Sequence, residues 1–354
     1  MTKLLRFAAP RRVEIIDASA QALKPGEVRV RTLYSGVSAG TELTAYRGTN
    51  PYLTSVWDPD IRLFTERDGG GIGYPLDGWG YSEVGEVIEV APALDGAPTT
   101  AGAGAPVAVG DLVWGIWGHR AEGILSAEAL RGHQLPDGLD PLNAAFVRVG
   151  AIALNAVLAA DLSVGSHVAI FGQGVIGLLA TRYAALNGAR VIAVDGIASR
   201  REQALAWGAD VALAPTDDLA MTIRDLTGGA GTDSAIELSG NYHALREATR
   251  AVGADGTVVA SGFYQGEAAA LSLGAEFHHN RVQLIASQIG SVPNRLRARW
   301  DVPRLQRTVV ESLANGSVKA TELVTHKYQI EDAAAAYEML DTNPAAALQV
   351  VLEF

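Results

Sequence analysis

The stretch that decides the fold runs from His167 to Asp195: HVAIFGQGVIGLLATRYAALNGARVIAVD. An apolar run of strand length feeds directly into Gly172, Gly174 and Gly177. A helical run follows as far as Asn187 and Gly188, and a second β-rich run ends on the acidic Asp195. This is the order of one βαβ unit with a ligand site at its first turn. Gly172 lets the strand turn sharply, Gly174 lets backbone N–H groups approach a pyrophosphate, and Gly177 lets helix and strand pack closely. The phosphates then sit on the partially positive end of the helix that opens at Val175 and Ile176. A bare GxGxxG can be any flexible turn in a chain with 39 glycines, so the flanking strand, helix, helix stop and terminal acid carry the dinucleotide reading.

At 354 residues the chain can hold two domains, each with its own core. Its 28 basic and 39 acidic residues give a net charge of −11, which disfavours nonspecific binding to nucleic acid or to an anionic membrane. A small-molecule substrate is the expected partner. The absence of cysteine excludes disulfides, thiolate zinc ligands and a cysteine nucleophile. MTKLLRFAAPRRVEII lacks a signal-length apolar core with a cleavage site, and no run of about 20 apolar residues reads as a membrane span. The expectation is a soluble cytoplasmic protein.

Upstream of the glycine turn, RRVEIID and VRVRTLYSGVS read as strands separated by KPGE. In the second, Val28, Val30 and Thr32 alternate with Arg29, Arg31 and Leu33, as on a strand with one buried face. The segment from Gly48 to Gly80 has little periodicity. It reads as a long surface excursion containing Trp57, the glycine cluster 69–71 and Trp79. YSEVGEVIEVA and VGDLVWGIWG are strand-like runs joined by ALDGAPTTAGAGAP, a mobile loop by composition. From Pro141 the pattern turns helical. Beyond Asp195, helical and strand runs alternate through VQLIASQIG, the pattern of a parallel doubly wound sheet. Two more helices, over 304–314 and 331–340, and the strand ALQVVLEF follow.

SGVSAGTE, WGYSEVGEVIEV, VGDLVWG, LPDGLDPLNAAFVRVGAIALNAV and VAIFGQGVIG with VIAVD together resemble the medium-chain dehydrogenase/reductase superfamily over essentially the whole chain. The resemblance implies an α/β fold: a Rossmann doubly wound parallel sheet domain, expected over 151–290, and a GroES-like β-rich substrate domain, expected over 1–150 and 291–354. It also implies an active site in the cleft between them and a homodimer joined through the edge strand VQLIASQIG. The SxGTE and EFHHNR stretches look most like the branch with bacteriochlorophyllide dehydrogenases and related sugar or secondary-alcohol oxidoreductases.

The departures from the family are informative. Where zinc-dependent members carry cysteine in GVC, this chain has Ser38; where they carry GHE, it has Tyr81 and Ser82; a third ligand position aligns approximately with Val147. Zinc wants several nitrogen, thiolate or carboxylate ligands in tetrahedral array. The chain is therefore read as zinc-independent, with no metal site. His278 and His279 are not taken as ligands, because neighbours on a helix point about 100° apart.

Without zinc, a protein group must handle the proton of hydride transfer. Tyr81 is the first candidate, since the resemblance points it into the cleft, where its phenol can donate to a carbonyl oxygen; the alternative is packing against Trp79. Glu42 is a candidate base or hydroxyl partner, and Thr41 a candidate relay to the ribose; alternatively both satisfy backbone groups in a tight turn after Gly40. Ser38 joins them by position. His119 is a candidate proton shuttle, or a packing residue. For the cofactor, Asp195 is expected to bind ribose hydroxyls and to repel a 2′-phosphate, favouring NAD over NADP. Arg200 and Arg201 could clamp such a phosphate instead. Glu237, Ser239 and Gly240 end a strand at the carboxyl edge where doubly wound sheets bind ligands. These residues point to an NAD-dependent dehydrogenase of a secondary alcohol or sugar-like polyol. The alternatives are an NADPH-dependent quinone or enoyl reductase and a dinucleotide-binding sensor or scaffold without turnover.

Overall fold

The computed structural model describes residues 2–66, 72–92 and 104–354, so the glycine cluster 69–71 and most of the loop after Val90 (93–103) lie outside the described residues. The chain forms two compact units, one of Val149–Val318 and the other of Met1–Arg148 with Lys319–Phe354.

The contiguous unit is built on a six-stranded sheet. Its spatial order is Val211–Leu213, Arg190–Val194, His167–Phe171, Thr232–Glu237, Val252–Ala260, Gln283–Ala286, and every pairing is parallel. Counted along the unit, that order is 3-2-1-4-5-6, the doubly wound arrangement. The central strand His167–Phe171 has Val168, Ala169, Ile170 and Phe171 all buried, as a strand covered on both faces must be. Helices Val175–Leu186, Ala198–Ala206, Leu219–Leu226 and Tyr242–Ala251 supply the crossovers. Gly188, at φ 85°, closes the first of them.

This unit is longer than expected. Residues 291–318, assigned from sequence to the substrate domain, belong here. Helix Val302–Ala314 packs on helix Val175–Leu186: the hydroxyls of Tyr183 and Ser312 lie 3.0 Å apart, and Arg182 donates to the Ser317 carbonyl at 2.7 Å. A helical pattern with one apolar face cannot say which sheet that face covers.

The discontinuous unit holds a second six-stranded sheet, in which Gln349–Glu353 pairs antiparallel with Glu27–Val37, and Glu27–Val37 with Glu83–Val90 and Glu122–Ser126. The expected alternation is present: Val28, Val30 and Thr32 are buried while Arg29 and Arg31 pair with Glu89 and Glu86 at the surface. Thr2–Ala9, not singled out in the sequence, pairs with Arg12–Ala18 and Leu76–Asp77 in a three-stranded sheet. The excursion after Gly48 contains a hairpin, Ser55–Asp58 with Leu63–Glu66. The continuous helical run Pro141–Ala159 has, at 19 residues, the length and apolarity of a membrane span, but 78% of it is buried in protein.

Candidate functional site

In the parallel-sheet unit the glycine turn takes the shape that the fingerprint requires. Gly172 sits at φ 88°, and a Cβ placed on Gly177 would lie 1.8 Å from the Gly172 carbonyl oxygen, so only glycine lets helix and strand approach this closely. Gly174 caps helix Val175–Leu186 in extended conformation, and a Cβ placed there would meet nothing within 4 Å. Val175 and Ile176 form the helix's first turn. Asp195 ends the second strand almost fully buried. One of its carboxylate oxygens accepts the Gln173 N–H at 2.7 Å and the other the Ile197 N–H at 2.8 Å. It therefore pins the glycine turn as well as facing the cavity.

That cavity, of about 810 Å³, is lined by Gly172, Asp195, Ile197, Ser239, Asn241 and Arg246, among others. Arg200 lies in the first turn of helix Ala198–Ala206, and Arg201 donates to the main-chain carbonyl of Asp195 at 2.9 Å. Glu237 is fully buried. It accepts the N–H groups of Ser239 at 2.8 Å and Gly240 at 3.1 Å and the hydroxyl of Tyr264, and burial raises its pKa. Gly240, at φ 69°, completes this rim. A turn that excludes any Cβ, an open helix N-terminus and a carboxylate at the cavity wall fit a dinucleotide.

In the discontinuous unit the structure gathers Ser38, Thr41, Glu42, Tyr81 and His119. Strand Glu27–Val37 delivers Ser38 at its end, the helix Glu42–Arg47 begins four residues on, and Tyr81 precedes strand Glu83–Val90. The Gly36 N–H donates to the Ser82 carbonyl at 2.9 Å, which brings the first and third of these together. Ser38 Oγ and the Tyr81 hydroxyl share a hydrogen bond. Burial raises the Tyr81 pKa, outweighing the hydrogen bond to Ser38. Trp79 instead packs edge-on to Phe7, with centroids 6.2 Å apart.

Behind this partly buried hydroxyl pair lies a fully buried polar chain. His119 Nε2 bonds Glu42 Oε2 at 2.8 Å and its Nδ1 lies 2.6 Å from Ser35 Oγ; Ser35 donates to Glu83 at 3.0 Å, and Glu83 also accepts the Trp117 N–H at 2.8 Å. Glu42 accepts the Ser38 N–H at 2.9 Å and the Tyr337 hydroxyl. Burial works against the His119 imidazolium, but the charge and hydrogen bond of Glu42, helped by Glu83, lift its pKa above the ordinary value. Burial raises Glu83. Glu42, expected as a base, and His119, expected as a shuttle, are both at 0% exposure with their polar atoms bonded to protein partners. Sequence reading missed Ser35, Glu83, Gln173 and Tyr337; of these, Glu83 was visible as a carboxylate opening an apolar strand.

The donor set does not fit zinc. Ser38 and Tyr81 are neutral hydroxyls bonded to each other, and Val147 is apolar and buried. Among the described residues no group of three or more histidines and carboxylates is arranged to hold a metal ion.

Comparison with known proteins agrees with this architecture. Residues 175–303 match the zinc-binding dehydrogenase family. D-Guloside 3-dehydrogenase of Escherichia coli (strain K12) is 29% identical over 360 residues, covering 99% of this chain and 100% of that protein. L-Galactonate-5-dehydrogenase of the same strain is 29% identical over 219 residues, 62% of this chain and 61% of that protein. The crystal structure of 2R,3R-butanediol dehydrogenase from Bacillus subtilis superimposes with a TM-score of 0.78 at 22% identity over 100% of both chains. Sequence match, sheet order and glycine turn agree: the chain is similar to the zinc-binding dehydrogenases of the medium-chain dehydrogenase/reductase superfamily.

Proposed function

We propose that this protein is an NAD-dependent, zinc-independent dehydrogenase acting on a secondary alcohol, or the matching ketone, of a sugar-like polyol. The observation that carries the reading is the hydrogen bond between Ser38 and Tyr81, two hydroxyls at positions where zinc-dependent relatives carry ligands. The relatives named for a guloside and a galactonate support a sugar-like substrate. Asp195 at the cavity wall supports NAD, since a carboxylate there repels a 2′-phosphate.

The nicotinamide would supply or accept the hydride. Gly172, Gly174 and Gly177 would hold the pyrophosphate, and Asp195 the ribose. Tyr81, kept protonated by burial, would donate to the substrate oxygen, and Ser38 would orient that donor. Glu42 would fix Ser38 through its N–H. A homodimer would form through the edge strand Gln283–Ala286, which has a partner on one side only.

Chelator-treated protein should reduce NAD in the presence of glycosides or polyols and bind NADH more tightly than NADPH in calorimetry. Activity that vanishes with chelator and returns with zinc would overturn the metal-free reading, and a preference for NADPH would overturn the cofactor assignment.

A further inference from the structure

The excursion after Gly48 turns an aromatic face outward. Trp57 and Phe64 stand opposite each other on the hairpin Ser55–Asp58 with Leu63–Glu66, their ring centroids 5.2 Å apart, and the ring of Tyr52 lies 5.6 Å from that of Phe64. Trp57 is 44% exposed, Phe64 52% and Tyr52 36%, whereas Val56 and Thr65, on the other face of the same strands, are half-buried. One face of the hairpin is thus covered and the other presents rings to water. A contiguous apolar face of this kind marks an interaction site. The turn that carries it is well bonded: Asp58 Oδ1 accepts the N–H groups of Asp60 at 2.9 Å and Ile61 at 3.2 Å, and the Arg62 N–H donates to the Asp58 carbonyl at 2.9 Å. The rings are therefore in place before anything binds.

A continuous run of hydrogen bonds ties the hairpin to the hydroxyl pair. The Tyr52 N–H donates to Asn50 Oδ1 at 2.9 Å, and buried Asn50 donates through Nδ2 to Thr44 Oγ1 at 2.6 Å. Thr44 Oγ1 donates to the Thr41 carbonyl at 2.6 Å, and the Thr41 N–H donates at 3.4 Å to Ser38 Oγ, the partner of Tyr81. The run crosses only the first turn of helix Glu42–Arg47, a rise of roughly 5 Å from Thr41 to Thr44.

We propose that Trp57, Phe64 and Tyr52 form a subsite for the second ring of a glycoside, aryl or sugar, whose first sugar meets Ser38 and Tyr81. The proposal rests on the dehydrogenase reading above and narrows its substrate class from polyols to glycosides that carry a second ring. Such a ring has a flat apolar face that lies on an aromatic side chain, while its polar edge stays in water. The charges of the hairpin agree. Asp58, Asp60 and Glu66 against Arg62 leave it net negative, which repels anionic lipid and nucleic acid, and carboxylate oxygens accept hydrogen bonds from sugar hydroxyls.

Fluorine-labelled tryptophan, with the signal of position 57 assigned by Trp57→Phe, reports binding in the whole protein by NMR without turnover. Phenyl β-D-glucoside and cellobiose should shift that signal, and glucose at the same concentration should not. In turnover with NAD, Trp57→Ala should lower kcat/KM for phenyl β-D-glucoside about tenfold relative to kcat/KM for glucose, the loss of one aromatic contact; Phe64→Ala should lower the same ratio. A Trp57 signal unmoved by both phenyl β-D-glucoside and cellobiose overturns the subsite, even in protein that oxidises sugars. A signal that moves with protein concentration instead gives the face to a second copy of the chain and overturns the subsite equally. Protein whose signal shifts with the glycoside but which oxidises no sugar overturns the dehydrogenase reading and leaves the subsite standing.

Discussion

The phenol of Tyr337 donates to the carboxylate of Glu42, 295 residues earlier in the chain, and both side chains are fully buried. Glu42 in turn holds the Ser38 N–H and His119, so a helix near the carboxyl end sets the position of a hydroxyl near the amino end. Tyr337→Phe removes a hydrogen bond to a charged acceptor while keeping the ring. It should cost about 1.5–3 kcal/mol of unfolding free energy, measured by denaturant titration. A loss within a few tenths of the parent, on the order of 0.3 kcal/mol, would mean that Glu42 is held by its other partners alone.

The pH dependence of stability follows from the same cluster. Glu83 and His119 both have pKa values raised in the folded protein, from ordinary values of 4.5 and 6.5. A group that binds its proton more tightly when folded contributes fully below its unfolded value, and that contribution is lost as pH rises through the folded one. The thermal midpoint should therefore decline as pH increases, beginning above 4.5 for Glu83 and continuing above 6.5 for His119. Scanning calorimetry of the parent and of Glu83→Gln checks this. The variant should lose the lower part of the decline, and identical slopes in the two proteins would remove Glu83 from the account.

Gly174 and Gly177 separate folding from cofactor binding. A Cβ on Gly174 meets nothing within 4 Å, so Gly174→Ala should leave the melting temperature unchanged. It should weaken NADH at least about tenfold, because under the proposed assignment the methyl occupies the space that the phosphates need. Gly177→Ala must displace the Gly172 carbonyl and should lower both stability and binding. Calorimetric titration with NADH beside thermal melts distinguishes the two. Unimpaired NADH binding by Gly174→Ala would place the phosphates elsewhere.

Asp195→Ala removes the acceptor for two N–H groups and, under the proposed cofactor assignment, for the ribose. NADH affinity should fall by about tenfold or more, while NADPH, freed from repulsion by a carboxylate, should lose less. The ratio of the two dissociation constants is the quantity to measure. A ratio unchanged from the parent would show that Asp195 serves only the turn.

The edge strand gives a further expectation. Leu284 is 38% exposed on Gln283–Ala286, and Leu284→Lys should drive a dimer joined through that edge to monomers, seen by light scattering on a sizing column. A dimer that persists in the variant would have to use another face.

The parallel sheet was legible because its strands are short apolar runs punctuated by glycine, and the helix stops and the terminal acid leave little freedom. The buried polar chain was not. Alternation along Val28, Val30 and Thr32 assigns Ser35 to the outer face, but a register shift between Thr32 and Tyr34 turns it inward, onto His119. A bulge of this kind has no residue signature in VRVRTLYSGVS. Tyr337 was hidden for a different reason. It sits in a helical pattern that reads as ordinary and acquires a role only through a contact made across the sequence. Tyr81 and Ser38 were visible because a known pattern was broken at both positions.

The pairing of Gln349–Glu353 with Glu27–Val37 bears on how the chain acquires its shape during synthesis. Val37 accepts from Gln349 across 312 residues, whereas Val149–Val318 is one unbroken segment. On the ribosome the parallel sheet can close while the last strand is still untranslated, and the first 148 residues must wait with an open sheet edge until it emerges. Such distant pairing is slow to form and leaves hydrophobic surface uncovered meanwhile. The step of synthesis most exposed to aggregation, and most in need of a chaperone, is therefore the interval before strand Gln349–Glu353 clears the exit tunnel.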